Sequence, residues 1–275
     1  GSVIIVVLAF QNSSALAAAY GIAVTGTMII TSILSCTVAH RQWGWPLAVA
    51  VALLSALLVI DVPFFVANVL KLFSGGWLPL VIGLVMFVIM STWRRGRELL
   101  FQRLQEQALP LDSFIENLET YPPTRVQGTA VFLNSATLGV PHALLHNLKH
   151  NKVLHERIVL MTVQNIDEPY VKVDQRVTVT RLSNSFWQVV ARYGFKEVPN
   201  VPEILDLCAE QGLEFEPMDT SFFLSRETLI STDRPGMARW REKLFVLQSK
   251  NALRATDFFQ IPANRVVEMG TQVEL

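Results

Sequence analysis

The chain of 275 residues has 23 basic and 23 acidic side chains, and their distribution along the sequence is uneven. Residues 1–93 contain only three formally charged side chains, Arg41, Asp61 and Lys71, whereas residues 94–275 carry 21 basic and 22 acidic ones. The first part is therefore too apolar for a soluble domain, and the second has the charge density of one. Because the second part has no basic excess to neutralise phosphates, it does not suggest a nucleic-acid partner.

The two cysteines fall in different parts of the chain, Cys36 in the apolar part and Cys208 in the charged part. We expect them not to form a disulfide, and no Cys-x-x-Cys spacing indicates a metal or redox site. A reducing compartment suits the charged part, and the sequence predicts no bound cofactor.

The first apolar run, residues 3–10, is only eight residues long, about half of a membrane crossing. No basic residues precede it, so it is not typical of a signal peptide. It is either a short buried segment or the end of a membrane span. We favour the second interpretation, with the span beginning upstream, because the chain opens inside the run and without Met.

The stretch Ser14–Cys36 contains no Asp, Glu, Lys, Arg or His. At about 1.5 Å per residue it is long enough to cross about 30 Å of hydrocarbon, and Ser13 or Ser14 is a candidate cap for its first turn. Small residues recur in it every four positions: Ala15, Ala19, Ala23, Thr27, Thr31 and Ser35. Small side chains let a second helix approach closely in lipid. The pattern therefore predicts a packed helix inside a bundle rather than a lone anchor.

The pattern of apolar runs predicts three full spans, at about 14–38, 46–68 and 77–93, so that residues 1–93 form a transmembrane part. Tryptophans stand at the ends of the spans, as in an aromatic belt. They are Trp43, Trp45, Trp77 and Trp93. Three arginines between residues 94 and 97 directly follow the last span. The positive-inside rule then predicts that residues 94–275 are cytoplasmic.

Residues 94–128 are predicted to form connecting amphipathic helices, the second of them capped by Asp112. From residue 129 to 275, segments with strand and helix patterns alternate, which predicts a cytoplasmic α/β domain. The predicted strands are 129–134, 157–163, 176–182, 220–224 and 265–273, and the predicted helices are 141–151, 201–211 and 238–253. Residues 187–193 fit either a strand or a short helix.

Asp61 is the one acidic residue inside a predicted span. An ionised carboxylate costs at least a few kcal/mol at membrane depth, so such a residue usually faces a polar pathway or a partner. Pro63 cannot donate to the carbonyl of Val59, and a carboxylate near a free carbonyl is suitable chemistry for guiding a dehydrated cation. Alternatively, Asp61 lies about 22 Å along the helix from Pro46 and simply reaches the membrane surface. The residues alone leave both interpretations open.

The other candidate cluster is a histidine series, His142, His146 and His150, with His155 close by. Spacing of four residues presents imidazoles on neighbouring turns, where they can bind Zn²⁺. No Cys or carboxylate completes such a site, and the polar face of a surface helix has the same spacing, so we predict no metal site. The sequence also contains no phosphate-binding loop, dinucleotide fingerprint or hydrolase motif, and we predict no catalytic residues.

Several long strings resemble the Kup/HAK/KT family of potassium-uptake permeases. They are SSALAAAYGIAVTGTM from residue 13, IDVPFF from 60, SGGWLPL from 74, GTAVFL from 128, VPHALLHNLKHNKVLHER from 140, TSFFLSRETLI from 220 and IPANRVVEMGTQVEL from 261. The resemblance covers essentially the whole chain. It implies the C-terminal part of a bacterial low-affinity K⁺ transporter of this family.

The resemblance has further implications for fold and function. It implies the last spans of an amino-acid/polyamine-type inverted-repeat fold in the bacterial inner membrane, followed by a cytoplasmic regulatory domain able to form a homodimer. It implies uptake of K⁺ together with H⁺ in contact with membrane lipid, and a role in transport for Asp61. The alternative is a membrane-anchored signalling domain that senses a nucleotide. The small-residue series argues against that alternative, because an anchor does not need close packing along its length.

Overall fold

The computed structural model describes residues 12–106, 109–134, 139–230, 232, 236–252 and 258–274. They fall into two compact units, and the division between the units lies between Ser91 and Thr92. The predicted end of a span at residues 3–10 lies outside the described residues.

The first unit is helical and contains α1 (Ser13–Arg41), α2 (Leu47–Val69) and the beginning of α3 (Trp77–Glu106). By length and composition all three helices are able to cross a membrane. They begin where the sequence predicts spans. A 3₁₀ turn, Leu72–Ser74, and Gly75 at φ 129° separate α2 from α3.

The cap of α1 and the end of α3 differ from the sequence-based expectations. Asn12, rather than Ser13 or Ser14, caps α1, because its side chain accepts a hydrogen bond of 2.9 Å from the backbone N–H of Ser14. The amphipathic helix predicted from residue 94 is a continuation of α3, which runs for 30 residues without a break. No proline occurs between residues 80 and 106, so the helical hydrogen bonds continue past residue 94.

Helices α1 and α2 approach each other closely because small residues of α1 lie under polar and aromatic side chains of α2. A Cβ atom on Gly21 would collide with the side chain of Asn68, and one on Gly26 would touch the ring of Phe65 at 3.7 Å. Four of the buried residues of α1 recur every seven positions: Ala18, Thr25, Ser32 and Ala39. A period of seven is typical of helices that pack at a small crossing angle.

The second unit is built around a six-stranded sheet. The strands are β1 (Thr124–Asn134), β2 (Val153–Ile166), β3 (Val177–Arg181), β4 (Phe186–Gly194), β5 (Thr220–Ile230) and β6 (Val266–Glu274). Their order in the sheet is β3-β4-β2-β1-β5-β6, and all neighbours are parallel except β3 and β4. Helices cover parallel strands on both faces, as expected for an α/β domain.

The remaining helices are α4 (Leu111–Thr120), α5 (His142–Asn151), α6 (Val173–Arg176), α7 (Val201–Ala209) and α8 (Arg239–Lys250). Alternate residues of the central strands point to opposite faces of the sheet. Val131 and Val159 pack with α7 in one core, and Phe132 and Leu160 pack with α4 and α5 in the other. The α/β architecture predicted for this part of the chain is confirmed.

Some details differ from the sequence-based expectations for this domain. Strand β1 begins at Thr124, five residues before the predicted start, and its pairing with β2 is irregular between Val126 and Thr129. Gly128, at φ 98°, lies inside that irregularity, in a conformation that other residues rarely adopt. The prediction that Asp112 caps α4 is wrong, since Pro110 occupies the cap position and no side chain caps the helix.

Helix α8 packs against the end of α3 that belongs to the second unit. Arg241 Nε donates a hydrogen bond of 3.0 Å to Thr92 Oγ1, and the Phe245 ring lies 5.5 Å from the Trp93 ring. A Cβ on Gly96 would collide with that Phe245 ring. These residues border a small third core formed with the ends of β5 and β6.

Candidate functional site

The candidate site is the carboxylate of Asp61 on α2. Its relative exposure is 5%, and Ser32 of α1, which is 7% exposed, donates a hydrogen bond of 2.7 Å from Oγ to Asp61 Oδ2. The carboxylate is thus buried at the contact between two apolar helices, and a hydroxyl from the neighbouring helix stabilises it. Burial of a charged group without such a partner costs several kcal/mol.

A groove of about 550 Å³ opens beside this pair. Asp61 and Ser32 contribute to its wall, and the other lining side chains are apolar or carry hydroxyl groups. Three of the hydroxyl groups belong to Thr27, Thr31 and Ser35. The groove therefore combines one acidic group with several neutral oxygens, the ligand type that hard cations prefer.

The structure places the first four residues of the small-residue series in different environments. Ala19 is buried and Ala15 is half-buried, and a Cβ on Gly75 would lie 2.5 Å from the Ala15 carbonyl oxygen. Ala23 and Thr27 are exposed and line the groove. Close packing of Ala23 and Thr27 against another helix remains a prediction, and α2 is not that helix.

The residue that sequence reasoning missed is Ser32. It does not belong to the four-residue series, and its position in the sequence does not pair it with Asp61. The signal that indicates it is the seven-residue repeat from Ala18 to Ala39, which marks the face of α1 directed at α2.

The histidine series lies on α5, where the ring centroids of His146 and His150 are 5.5 Å apart. Among the described residues, no group of three His, Cys, Asp or Glu side chains is placed to hold a metal ion. Burial and the neighbouring His150 and His142 lower the pKa of His146. Its neutral form is therefore favoured.

An ion-pair cluster fixes the loops at one end of β2 and β4. Arg176 pairs with Glu197 and, at 2.5 Å, with Glu203, and its guanidinium lies 5.0 Å from the centre of the Tyr193 ring. Glu197 also accepts hydrogen bonds from the backbone N–H groups of Gly194 and Val171. Every acceptor here serves a contact within the domain, so the cluster is structural.

β1 and β5 are neighbours in the middle of the five parallel strands. The chain continues from β1 to β2 on one side of this pair and from β5 to β6 on the other. In such sheets ligands bind where the carboxyl ends of these two strands separate. Residues 135–138 after β1, and residues 231 and 233–235 after β5, lie outside the described residues. The described residues therefore provide no geometry for a nucleotide at this edge of the sheet.

Comparisons with known proteins agree with the division into two units. Residues 1–98 match the model of the K⁺ potassium transporter integral membrane domain, and residues 127–275 match that of the K⁺ potassium transporter C-terminal domain. Together the two models cover both the apolar helices and the sheet.

Three relatives match the entire chain. The probable potassium transport system protein Kup 2 of Chromobacterium violaceum is 66% identical over 274 residues, and Kup 1 of Aeromonas hydrophila is 53% identical over 275. The low affinity potassium transport system protein Kup of Yersinia pestis is 58% identical over 274 residues. The chain spans 44% of the length of each of these relatives.

The predicted resemblance is thus confirmed from two directions, the family models and the whole-chain relatives. The chain belongs to the K⁺ potassium transporter family, and it joins helices of the integral membrane domain to the C-terminal domain.

Proposed function

We propose that the protein to which this chain belongs takes up K⁺ across a membrane by symport with H⁺. The two family models and the names of the relatives support transport of potassium rather than an enzymatic reaction. The sequence resemblance is the basis for the coupling to H⁺. We propose no cofactor, and K⁺ and H⁺ are the transported ions.

Asp61 is the residue of this chain that we place in the ion pathway. The observation that carries the assignment is its burial between α1 and α2, next to a groove rich in hydroxyl groups. A carboxylate that merely reached the membrane surface would be exposed at a helix end. A buried carboxylate instead supplies local negative potential to a cation that has lost its water.

The experiment compares K⁺ uptake by full-length variants in cells that lack other K⁺ uptake systems. Asp61→Asn keeps the shape of the side chain but removes its charge, and we expect it to slow uptake severely at equal protein abundance. Asp61→Glu should retain more activity. Ser55→Ala is the matched control, since Ser55 is an exposed residue of α2 whose hydroxyl donates to the Val51 carbonyl of the same helix. Uptake by Asp61→Asn equal to that of the control would refute the assignment.

The fold and orientation of the membrane part are further expectations. We propose that α1, α2 and α3 are the last spans of an amino-acid/polyamine-type inverted-repeat fold, in which ions bind where the repeats meet. The arginines at 94, 95 and 97 support a cytoplasmic second unit, in a bacterial inner membrane. Reporters fused after Leu275 and within residues 71–76 should report opposite sides of the membrane.

For the second unit we propose regulation of transport and formation of a homodimer. A domain with its own cores and sheet is able to respond to a signal independently of the membrane helices. Light scattering of the purified full-length protein tests the dimer, and a monomeric mass would contradict it.

A further inference from the structure

Basic residues are concentrated in two segments of the second unit. Residues 92–106 and 236–250 together carry eight basic and three acidic side chains. The rest of the 94–275 part has thirteen basic and nineteen acidic side chains. The net charge of residues 94–275 is nearly zero, but these two segments are positive and the rest of this part is negative.

The fold brings the two positive segments together. Arg241 contacts Thr92, and Phe245, four residues later on α8, contacts Gly96, four residues later on α3. The two helices therefore run in the same direction at this contact. The first turn of α8 consequently lies at the level of Thr92. The later turns lie beside residues nearer to Glu106.

The level of Thr92 is also the level at which the apolar part of α3 ends. No charged side chain occurs between Trp77 and Trp93, and Arg94, Arg95 and Arg97 follow directly. A tryptophan followed by arginines is typical of the boundary between a membrane and water. The first turn of α8 therefore lies beside the residues that carry this boundary pattern, although about 140 residues of sequence separate the two segments.

The side chains exposed at this level suit a lipid surface. Trp240 is 58% exposed, and Arg239 and Lys243 are exposed as well. Tryptophan places its ring among lipid headgroups, and basic side chains are attracted to anionic lipids.

Among the described residues, the carboxylates of Glu98 and Glu242 belong to these two segments. Glu98 pairs with Arg94 at 3.1 Å and with Arg95 at 3.4 Å, and Glu242 is buried. Within the described parts of the chain, Arg97 and Lys243 make no ion pair shorter than 4 Å. Positive charge thus remains exposed beside Trp240.

We propose that the first turn of α8, residues 239–243, forms with residues 93–97 a docking surface for anionic membrane lipid, here called the α8 lipid surface. Phosphate groups of the headgroups contact Arg97 and Lys243, and Trp240 inserts among the headgroups. Docking then gives the second unit a further attachment to the bilayer, in addition to its covalent connection through α3.

The test uses the full-length protein in nanodiscs and measures hydrogen exchange of the amides of residues 239–246. The bilayers contain phosphatidylcholine alone, or a mixture in which about one lipid in three is phosphatidylglycerol. We expect exchange in the mixture to be slower by a factor on the order of ten. Arg97→Gln combined with Lys243→Gln should abolish the difference.

Lys149→Gln combined with Lys196→Gln is the matched control, because both lysines are exposed and lie outside the α8 lipid surface. This variant should keep the full difference between the two bilayers. Equal exchange of residues 239–246 in the two bilayers would overturn the proposal, as would equal slowing throughout the sheet. Inorganic phosphate that produced the same slowing in phosphatidylcholine would assign the surface to free anions and overturn it too.

Discussion

The environment of one carboxylate favours a place in the ion pathway over simple exposure at the membrane surface, the two sequence-based interpretations of Asp61. The sequence identifies Asp61 because it is the only acidic residue in a span, but position along a helix does not tell which neighbour faces it. The structure buries it against Ser32 of another helix. That contact depends on the rotation of α1 relative to α2, and only tertiary packing determines this rotation.

The Ser32 hydroxyl tests whether the environment of Asp61 matters for transport. Ser32→Ala removes the donor of the 2.7 Å hydrogen bond, and a hydrogen bond to a charged group contributes about 1.5–3 kcal/mol. We therefore expect K⁺ uptake by the full-length Ser32→Ala variant to fall on the order of tenfold, while Ser32→Thr, which keeps a hydroxyl, retains most activity. Uptake equal to that of the parent, at equal abundance, would show that the contact is dispensable.

At the scale of elements, the small residues of α1 show what periodicity predicts and what it misses. Successive positions four apart rotate by about 40° around a straight helix, so a long four-residue series winds away from any single neighbour. Ala19 is accordingly buried, while Ala23 and Thr27 are exposed. The seven-residue repeat that contains Ser32 rotates much less and follows α2 along its length.

The strands also differ in how readily the sequence predicts them. Thr220 and the apolar residues after it are readily predicted as a strand, because a run rich in Phe and bounded by turn residues has few alternatives. Residues 187–193 are ambiguous in the sequence because the run is short and apolar Val190 interrupts its alternation, although the structure buries Val189, Ala191 and Tyr193 in one core. Its partners, rather than its own sequence, make it a strand.

The contact between α3 and α8 leads to a prediction about Gly96. Gly→Ala substitution inside a helix usually stabilises it, but a Cβ here collides with the Phe245 ring. We expect Gly96→Ala to destabilise the full-length protein by about 1–3 kcal/mol and to lower its Tm by several degrees in a thermal melt. Gly83→Ala in the same helix is the control, since none of the described atoms lies within 4 Å of its Cβ position. Equal Tm values for the two variants would contradict the close contact.

The ion-pair cluster predicts sensitivity to acid. Burial opposes ionisation of Glu197, but hydrogen bonds from the Gly194 and Val171 N–H groups and the charge of Arg176 outweigh it, so its pKa lies below the ordinary value of 4.5. A lowered pKa stabilises the fold above pH 4.5, and the stabilisation is lost as the pH falls through the pKa of the folded state.

Chemical denaturation at a series of pH values measures this contribution. The parent should lose stability below about pH 4.5 more steeply than Glu197→Gln, which has no carboxyl group to protonate. Parallel pH profiles for the two proteins would show that Glu197 does not contribute.

At the scale of the whole molecule, the uneven distribution of charge along the sequence corresponds to two units that differ in chemistry. The first unit exposes large apolar side chains such as Leu34, Ile60 and Phe87, whereas the second has two apolar cores on the faces of its sheet. Exposed apolar surface of this extent needs lipid or other helices around it.

We therefore expect residues 92–275, expressed alone, to form a folded domain. About 180 residues are enough for an independent core. Circular dichroism should show helix together with strand, and heating should produce one cooperative transition. Aggregation without any transition would mean that this unit needs the membrane helices in order to fold.

The central claim, that the full-length protein moves K⁺ together with H⁺, is tested most directly by proton movement in proteoliposomes. A K⁺ gradient directed into the vesicles, at equal internal and external pH, is imposed while a trapped dye reports the internal pH. Symport predicts that K⁺ entry acidifies the interior, and that Asp61→Asn, reconstituted at the same density, abolishes the change. K⁺ entry without acidification would contradict coupling to H⁺, and acidification by Asp61→Asn equal to that of the parent would contradict the role of the buried carboxylate.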